Sequence, residues 1–456
     1  MFSYQIFNII IQITCIIIFP IIFLYKIITS KYNSRKIYLV NHACFKPKTS
    51  QKITRQKTIS MIKPLGPNFS QYTIDTITKM ILTSGFGDST YAPESYLRSP
   101  LTFSLEEARR EAEAAIFNTV DILLEKTRVK IDEIGILIVN CSIFNPIPSL
   151  TSMVLNKYKF RDNVKSFNLT GMGCSAGLGA IDLAHHLLKV HKNTYALIVS
   201  TEILTQGLYT GNDPNKHGIN CVLRVGGAAI LLSNKPSDKQ SSKYELIHTV
   251  HTNTSSRDSS YNCIQLEEDP LGLKGVNVTK DLLVEANNAI IANLTSLAPL
   301  ILPVSDKIMF WLSNLIQKFK LGKISPKPNY VPNFGRVIDH FTCHVGGRFV
   351  IDAVERTVGL DVEPARMTLH RFGNTSSSSV WYELAYVEAK GKVKLGDRIW
   401  QISYGSGFKC NSVIWRAIEN VGREEDNPWN EDIHCYPIIE DFETYPLVFA
   451  SSRVVN

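Results

Sequence analysis

The sequence lacks the features that mark several classes of protein. It has no low-complexity stretch and no run of like charges, so no segment stands out as a disordered tail. Its nine cysteines are odd in number and widely spaced, which argues against a disulfide framework. Zinc-finger spacing and aromatic RNA-binding signatures are absent, so we expect no nucleic-acid partner. The net charge of +8 instead favours anionic lipid or phosphorylated ligands.

The N-terminal segment is apolar. From Ile6 to Leu24 it carries no charge, and it is long enough to cross a bilayer as one helix, which needs about 20 residues. A cleaved signal peptide fits less well, because the opening MFSYQ has no basic residue and no small-residue cleavage site follows. A short, tilted or re-entrant anchor is a further alternative. We predict a membrane anchor at residues 1–30.

Basic residues follow the anchor and indicate its orientation. By the positive-inside tendency they place the rest of the chain in the cytosol. A reducing compartment agrees with the cysteine spacing described above. The residues concerned are Lys26, Lys31, Arg35 and Lys36.

The rest of the chain alternates between strand patterns and helix patterns. Ser104 and Glu107 form a capping box before a long amphipathic helix, and the apolar run 134–142 is typical of a buried strand. Similar pairs recur up to about residue 418, which predicts an α/β fold with covered sheets. Residue identity does not establish an internal duplication. The regions predicted are a juxtamembrane arm at 31–80, a first half at 81–250, a second half at 251–425 and a tail at 426–456.

Cys174 is the candidate nucleophile. It lies in GMGCSAGLG (171–179), where a strand pattern ends and a helix pattern begins. Small neighbours allow a substrate to approach closely, and a helix N-terminus offers unpaired N–H groups and a positive dipole end. These features are expected to lower the pKa of the thiol. The alternative is a buried structural cysteine in a tight turn.

A histidine and an asparagine in the second half are candidate hydrogen-bonding groups. His344 follows a strand pattern, and Asn374 lies in a turn before a helix pattern. Together they can polarise a thioester carbonyl as negative charge develops on its oxygen. The alternatives are a metal site, whose ligands would come from His340, Cys343, His344 and His370, and core histidines that hold loops. We expect no metal, because paired C-x-x-C spacing is absent.

The segment YGSGFKCNSVIW (404–415) contains a turn with a glycine on each side of Ser406. It is either a plain connecting turn or part of an oxyanion hole. In the second case the backbone N–H groups of Ser406 and Cys174 would bind the developing negative charge together.

Four long segments of the chain resemble one family. The chain is similar to the plant 3-ketoacyl-CoA synthases, the condensing enzymes of very-long-chain fatty acid elongation. The segments are NLTGMGCSAGLGAIDLA, NCVLRVGGAAILLSNK, RMTLHRFGNTSSSSVWYELAYVEAKG and GSGFKCNSVIWRA. Weaker matches extend the resemblance over about residues 37 to 420.

The resemblance implies a thiolase-like fold, a duplicated βαβαβαββ unit in five layers. It implies a Cys-His-Asn triad at Cys174, His344 and Asn374. His340 and His370 match further histidines of the family's motifs and are counted as additional candidate catalytic residues. Acyl-CoA and malonyl-CoA would be the substrates, and no cofactor is expected. The family also implies an endoplasmic-reticulum location and a homodimer. The partners that would complete the cycle are a ketoacyl-CoA reductase, a hydroxyacyl-CoA dehydratase and an enoyl-CoA reductase.

The sequence departs from the family pattern in places. One N-terminal membrane segment is predicted where the family usually has two, and Asn253 stands where the family pattern has a histidine. Two alternatives accompany the 3-ketoacyl-CoA synthase hypothesis, the first suggested by these departures and the second by a shared triad and shared coenzyme A ester substrates. One is a weakly active or inactive relative that scaffolds elongation complexes, and the other is a type III polyketide synthase.

Overall fold

The computed structural model describes residue 21 and residues 35–309 and 333–438. The predicted anchor at 1–30 therefore falls almost wholly outside the described residues. Within the described ranges no helix is both long and apolar enough to cross a bilayer. The strands are β1 Tyr38–Cys44, β2 Lys52–Ile53, β3 Thr90–Tyr91, β4 Ile134–Asn140, β5 Lys165–Leu169, β6 Tyr195–Glu202, β7 Gly226–Ser233, β8 Tyr244–Asn253, β9 Ile264–Glu268, β10 Lys274–Val278, β11 His340–Cys343, β12 Arg398–Gly405 and β13 Lys409–Ala417.

Helices connect most of these strands. The long ones begin at good N-caps where the sequence supplies them: the Ser104 side chain accepts a hydrogen bond from Glu107 N, as the capping box predicts. The helices are α1 Arg55–Ser60, α2 Ile62–Leu65, α3 Gln71–Thr83, α4 Glu94–Leu97, α5 Leu105–Thr127, α6 Leu150–Tyr158, α7 Ala176–Val190, α8 His217–Val222, α9 Asp258–Asn262, α10 Leu282–Ile301, α11 Arg348–Val358, α12 Glu363–Phe372 and α13 Ser379–Ala389.

The strand pairing reveals a repeated unit. In the first half β4 pairs in parallel with β6, β6 pairs antiparallel with β7, and β7 pairs antiparallel with β1. In the second half β11, β12, β13 and β8 repeat this succession of one parallel and two antiparallel pairings. The chain order of the main elements also matches: β1, α5, β4, α6, α7, β6 and β7 in the first half correspond to β8, α10, β11, α11, α13, β12 and β13 in the second. The duplication that residue identity did not establish is therefore visible in the topology.

The two halves join into one nine-stranded sheet through a short contact. Its order is β11-β12-β13-β8-β1-β7-β6-β4-β5, and β1 meets β8 only at Tyr38–Glu245 and Leu39–Tyr244. Helices α7 and α13 each contact strands of both halves, while α5 covers the outer face of the first half and α10 covers that of the second. The two halves of the sheet form two separate layers with α7 and α13 between them. The order of layers is therefore helix, sheet, helix, sheet, helix, as predicted.

The structure shifts two of the predicted boundaries. Strand β1, which falls within the predicted arm at 31–80, pairs along its length with β7 and so belongs to the first half. Strand β8 begins at Tyr244, so the second half starts before residue 251. The described part of the predicted tail packs on the core, because the Trp429 indole is buried and donates to Tyr382 O at 2.8 Å.

The ends of the strands in the nine-stranded sheet define two ends of the molecule. At one end, β8 ends at Asn253, β12 ends at Gly405 and β13 begins at Lys409. Lys409 pairs with both of the other two residues. At the opposite end Tyr38 pairs with Glu245 and with Ser233. We call this second end, marked by Tyr38, the distal end. The predicted nucleophile lies at the first.

Candidate active site

Cys174 lies between β5 and α7, in a single 3-10 turn that spans Gly173–Ser175. The predicted strand–turn–helix junction is confirmed. Gly173 has φ +56°, a conformation that favours glycine, and Gly177 faces the second half at very close range. A Cβ atom on Gly177 would lie 2.2 Å from the Ser377 carbonyl oxygen. The two middle helices therefore meet at their N-termini because residue 177 has no side chain.

The turn that holds Asn374 forms the other side of this contact. Asn374 N donates to Val222 O at 3.2 Å, and Arg224 N donates to Asn374 O at 2.8 Å. The Asn374 side chain is buried, and its Oδ1 accepts a hydrogen bond from Ser376 N at 2.8 Å. Because Oδ1 is occupied in this way, the amide presents its Nδ2 group as a donor.

Ser376 links the asparagine turn to the thiol. Its Oγ lies 3.6 Å from Cys174 Sγ and 3.1 Å from Glu202 Oε2. A hydroxyl has one proton, so it donates to one of these partners while it accepts from the other. Sequence analysis missed both Ser376 and Glu202. The sequence signal that could have identified Glu202 is that this acidic residue directly follows the apolar strand pattern TYALIVST (194–201).

Glu202 is held in place by the first half. Its Oε1 accepts from Ser142 N at 3.0 Å, from Ile143 N at 2.7 Å and from the Cys141 thiol at 3.1 Å. Burial raises the pKa of Glu202, and the hydrogen bonds oppose that rise. The carboxyl therefore fixes the position of the Ser376 hydroxyl beside Cys174.

His344 follows β11 and is anchored by its backbone. Its N–H donates to Ile402 O at 2.9 Å, and Tyr404 Oη donates to His344 O at 3.0 Å. The imidazole packs edge-on against the Tyr404 ring, with 5.3 Å between centroids. Burial lowers the pKa of His344 to about 3, so the ring is neutral at pH 7. Its Nδ1 atom is buried and has no hydrogen-bond partner within the described part of the chain.

The expectation that the helix N-terminus lowers the pKa of Cys174 is wrong for this unliganded structure. Burial raises the pKa of the thiol to about 12, and Ser376 opposes the shift. Removing the sulfur from water disfavours the thiolate more than the nearby donors favour it. The neutral thiol must therefore lose its proton when it attacks.

The Ser406 turn lies against the Cys174 turn. A Cβ atom on Gly173 would lie 3.1 Å from Ser406 N, and one on Gly405 would lie 2.8 Å from Cys174 N. The Ser406 hydroxyl donates to Gly171 O at 3.3 Å. The backbone of 405–406 thus runs beside the nucleophile turn, which is the arrangement that the oxyanion-hole hypothesis requires.

An apolar pocket of about 90 Å³ adjoins the site. Its walls come from α1, α2, α3 and α8 and from the chain near Leu204. Leu223 and Arg224, which line it, flank the backbone contact with Asn374, and Ile143, which also lines it, donates to Glu202. The pocket wall is therefore continuous with the wall of the site.

Comparison with known proteins assigns the fold and the family. A family model described as "FAE1/Type III polyketide synthase-like protein" matches residues 29–319, and one described as "3-Oxoacyl-[acyl-carrier-protein (ACP)] synthase III C terminal" matches 336–417. The protein 3-ketoacyl-CoA synthase 17 of Arabidopsis thaliana is 49% identical over 407 residues, which cover 89% of this chain and 83% of that protein. 3-Ketoacyl-CoA synthase 11 of the same plant is 50% identical over 408 residues, 89% of this chain and 79% of that protein. This chain belongs to the 3-ketoacyl-CoA synthase family.

Solved structures support the fold expected for a 3-ketoacyl-CoA synthase. The 1,3,6,8-tetrahydroxynaphthalene synthase of Streptomyces coelicolor A3(2), a type III polyketide synthase, has a TM-score of 0.62 at 18% identity and covers 84% of this chain and 99% of its own. A structure of CsyB complexed with CoA-SH gives a TM-score of 0.64 at 17% identity and covers 84% of this chain and 100% of its own. The thiolase-like α/β fold predicted from the sequence is confirmed.

The two further histidines of the family's motifs do not contact the thiol. His340 begins β11 at the distal end, where its Nε2 lies 2.9 Å from Asp397 Oδ2, roughly 20 Å from Gly405 by strand length. His370 is in α12, where its carbonyl accepts from Gly87 N at 2.9 Å and its Nδ1 lies 3.1 Å from Tyr436 Oη. Both placements correspond to histidines that hold loops and not to groups that touch a substrate.

The positions of these histidines also keep the four residues of the alternative metal site apart from one another. His340, Cys343, His344 and His370 do not converge, and in the described ranges the group that satisfies metal-ligand spacing is Asp182, His185 and His186 on α7. Asn253, the departure from the family pattern, is exposed at the end of β8, where its Oδ1 accepts from Ser255 N at 3.0 Å. It therefore stabilises a surface turn near Lys409.

Proposed function

We propose that this chain condenses malonyl-CoA with a long-chain or very-long-chain acyl-CoA, releasing carbon dioxide and coenzyme A and forming a 3-oxoacyl-CoA. The observation that carries the proposal is the contact between halves at Cys174. Ser376 Oγ lies 3.6 Å from Cys174 Sγ, and Ser376 N holds the Asn374 side chain. A nucleophile from one half and an amide donor from the other therefore share one site.

The first step is acyl transfer to Cys174. The sulfur attacks the thioester carbonyl of acyl-CoA, a new carbon–sulfur bond forms, and the bond to the coenzyme A sulfur breaks. The thiol proton passes to the neutral His344 imidazole and from there to the departing coenzyme A thiolate. His344 is neutral at pH 7, so one ring nitrogen carries no proton and is available to receive it.

The second step is decarboxylation of malonyl-CoA. The thioester carbonyl lies between His344 and Asn374 Nδ2, and loss of carbon dioxide leaves an enolate on its oxygen. Hydrogen bonds in a site withdrawn from water stabilise this charge far better than exposed ones. The enolate carbon then attacks the acyl-Cys174 carbonyl, and the backbone N–H groups of Cys174 and Ser406 receive the oxyanion. This intermediate collapses, the bond between the acyl carbon and Cys174 Sγ breaks, and 3-oxoacyl-CoA leaves. The Cys174 thiolate takes up a proton from solvent, which restores the thiol.

The apolar pocket is proposed to receive the acyl chain. Its lining is mostly apolar, and Leu223 and Arg224 connect it to the Asn374 turn. Coenzyme A esters are substrates, and the mechanism uses no metal and no cofactor. The net charge of +8 suits their phosphates.

We propose that the chain is anchored in the endoplasmic-reticulum membrane by residues 1–30, with the catalytic region in the cytosol. A homodimer and an elongation complex with the reductase, dehydratase and second reductase complete the proposal. Lys26 and Lys31 support the orientation. Protease added to sealed microsomes should digest the catalytic region, and full protection would contradict the topology.

Expression in yeast microsomes tests the activity. The microsomes receive labelled malonyl-CoA and acyl-CoAs of several lengths, and the products are separated by chain length. We expect labelled 3-oxoacyl products two carbons longer than the added acyl-CoA, above the level of empty-vector microsomes. Labelled polyketide products in their place would favour a type III polyketide synthase, and no product at any length would favour the scaffold alternative.

A further inference from the structure

The described chain enters the fold at the distal end. Arg35 Nη1 donates to Lys189 O at 2.6 Å, at the end of α7 that is farthest from Cys174. The apolar N-terminal stretch runs to Ile28, so only a few residues separate it from Arg35. Such a linker spans at most about 20–25 Å even when fully extended. If residues 1–30 lie in a bilayer, the distal end lies close to its surface.

Helix α10 brings apolar side chains to the same end. Asn293, in its middle, donates through Nδ2 to Val250 O at 3.1 Å and to Cys410 O at 3.0 Å. The helix continues from there to Ile301, antiparallel to β8, and so runs toward the distal end. A second stretch of helix covers the described residues 304–309.

The side chains beyond Asn293 that face solvent form what we call the distal patch. It consists of four large apolar side chains: Leu300 is 47% exposed, Val304 68%, Ile308 51% and Met309 51%. The sequence from 286 to 305 contains no charged residue. Of the two charged residues between Val304 and Ile308, Asp306 is buried and Lys307 is exposed. A cluster of exposed apolar side chains is typical of a surface that is covered by something else.

The distal end carries two further exposed apolar side chains, and exposed lysines accompany them. Val190, at the end of α7, is 72% exposed, and Leu395, in the turn before β12, is 66% exposed. Exposed basic side chains lie around them on the same end: Lys36, Lys189, Lys192, Lys307 and Lys394. Acidic side chains are also exposed at this end, among them Asp132, Asp339 and Glu419. Apolar side chains with lysines among them are a combination that binds an anionic lipid surface.

We propose that the distal end lies on the cytosolic surface of the bilayer, with the distal patch at the lipid interface. The inference rests on the membrane anchor of the proposed function. It adds an orientation: Cys174, at the opposite end of the strands, is turned away from the lipid. Coenzyme A esters then reach Cys174 from the aqueous side and not from beneath the molecule.

Spin labels on the full-length chain in lipid nanodiscs test this orientation. Single cysteines are placed at Ile308→Cys and, as the matched control, at Ile147→Cys, in a Cys15→Ser, Cys435→Ser background. Ile147 is 92% exposed and follows β4 at the Cys174 end. The background chain without either added cysteine measures any labelling of Cys174, which is subtracted.

Collision with oxygen, which concentrates in lipid, and with a water-soluble nickel chelate reports the depth of each label. We expect the Ile308 label to gain oxygen collisions and lose nickel collisions relative to the Ile147 label. Failure of the chain to remain with the nanodiscs after alkaline washing overturns the anchor and the orientation together. A stably anchored chain with both labels equally open to nickel overturns the orientation alone. Protection of the Ile308 label from both reagents points to a protein partner and also overturns it.

Discussion

The two halves of the molecule share one topology but supply different chemistry. In each half a middle helix begins at the same end of the fold, α7 after the Cys174 turn and α13 after the Asn374 turn. The first turn carries a nucleophile, and the second carries an amide whose orientation is set by Ser376 N. Because the helix N-termini touch at Gly177, the duplication brings two unlike turns into one site. The comparison shows that the site belongs to the seam and to neither half alone.

Removing the sulfur from the first half should have the largest effect. Cys174→Ser replaces the only group proposed to carry the acyl chain, so condensation in microsomes should fall below detection while the protein stays folded. Cys435→Ser is the matched control, because Cys435 is exposed and lies outside the site. The circular dichroism spectra of both variants should match the parent. Near-normal elongation by Cys174→Ser would rule out the proposed nucleophile.

A substitution that moves the two helix N-termini apart, and leaves Cys174 and Asn374 themselves unchanged, should have the next largest effect on condensation. In Gly177→Ala the new methyl would lie 2.2 Å from Ser377 O, so the Asn374 turn must move. A displacement of about 1 Å can cost about a hundredfold in kcat, and overpacking costs about 1–3 kcal/mol of stability.

Gly218→Ala is the control for this variant, since no atom lies within 4 Å of its added Cβ. Its activity and Tm should match the parent. If Gly177→Ala elongates acyl-CoA as fast as Gly218→Ala, the close contact between the helix N-termini is not required for catalysis.

Acid should weaken the fold in part through His344 of the second half. Burial lowers the pKa of His344 from 6.5 to about 3, so the unfolded chain binds a proton that the folded chain does not. The contribution of His344 is full above pH 6.5 and is lost as the pH falls toward 3, by up to about 1.4 kcal/mol per pH unit. Denaturant titrations at several pH values should show a shallower decline for His344→Gln than for the parent. Equal slopes would mean that His344 is not buried as a neutral ring.

Removing the side chain of His340, at the distal end of the second half, should have the smallest effect on condensation. His340→Ala removes a partly exposed contact with Asp397, which is worth at most about 1 kcal/mol. We expect kcat/KM for condensation to stay close to the parent value, in contrast to His344→Ala. A loss in His340→Ala as large as that in His344→Ala would return His340 to the catalytic residues.

Sequence patterns predicted the parts of the fold that depend on nearby residues. The N-cap at Ser104, the alternation of strands and helices and the junction at Cys174 follow local rules and are confirmed. The other half of the capping box is not formed, because the Glu107 carboxylate accepts from Arg98 and Arg110. Strand β1 was assigned to the arm because nothing near it in sequence shows that it pairs with β7. The sequence has a helical pattern from 279 to 321. The structure divides the described part of it into α10, which ends at Ile301, and a second stretch of helix at 304–309, with Pro303 between them.

The site was predictable only in part for a similar reason. Cys174 and Asn374 lie in turns with recognisable patterns, but the contact of Ser376 with both Cys174 and Glu202 joins three distant segments. The pKa of the thiol was predicted in the wrong direction because a helix N-terminus is visible in sequence and burial is not.

The central claim is that the first half accepts the acyl group and the second half generates the enolate. Asn374→Ala removes one enolate donor, a loss of about 3 kcal/mol or roughly a hundredfold in rate by analogy with single oxyanion-hole donors. The variant is incubated with radioactive acyl-CoA and, separately, with malonyl-CoA labelled in its free carboxyl. The account predicts that Cys174 still becomes labelled while release of carbon dioxide falls about a hundredfold. Lost labelling of Cys174 together with normal release of carbon dioxide would contradict it.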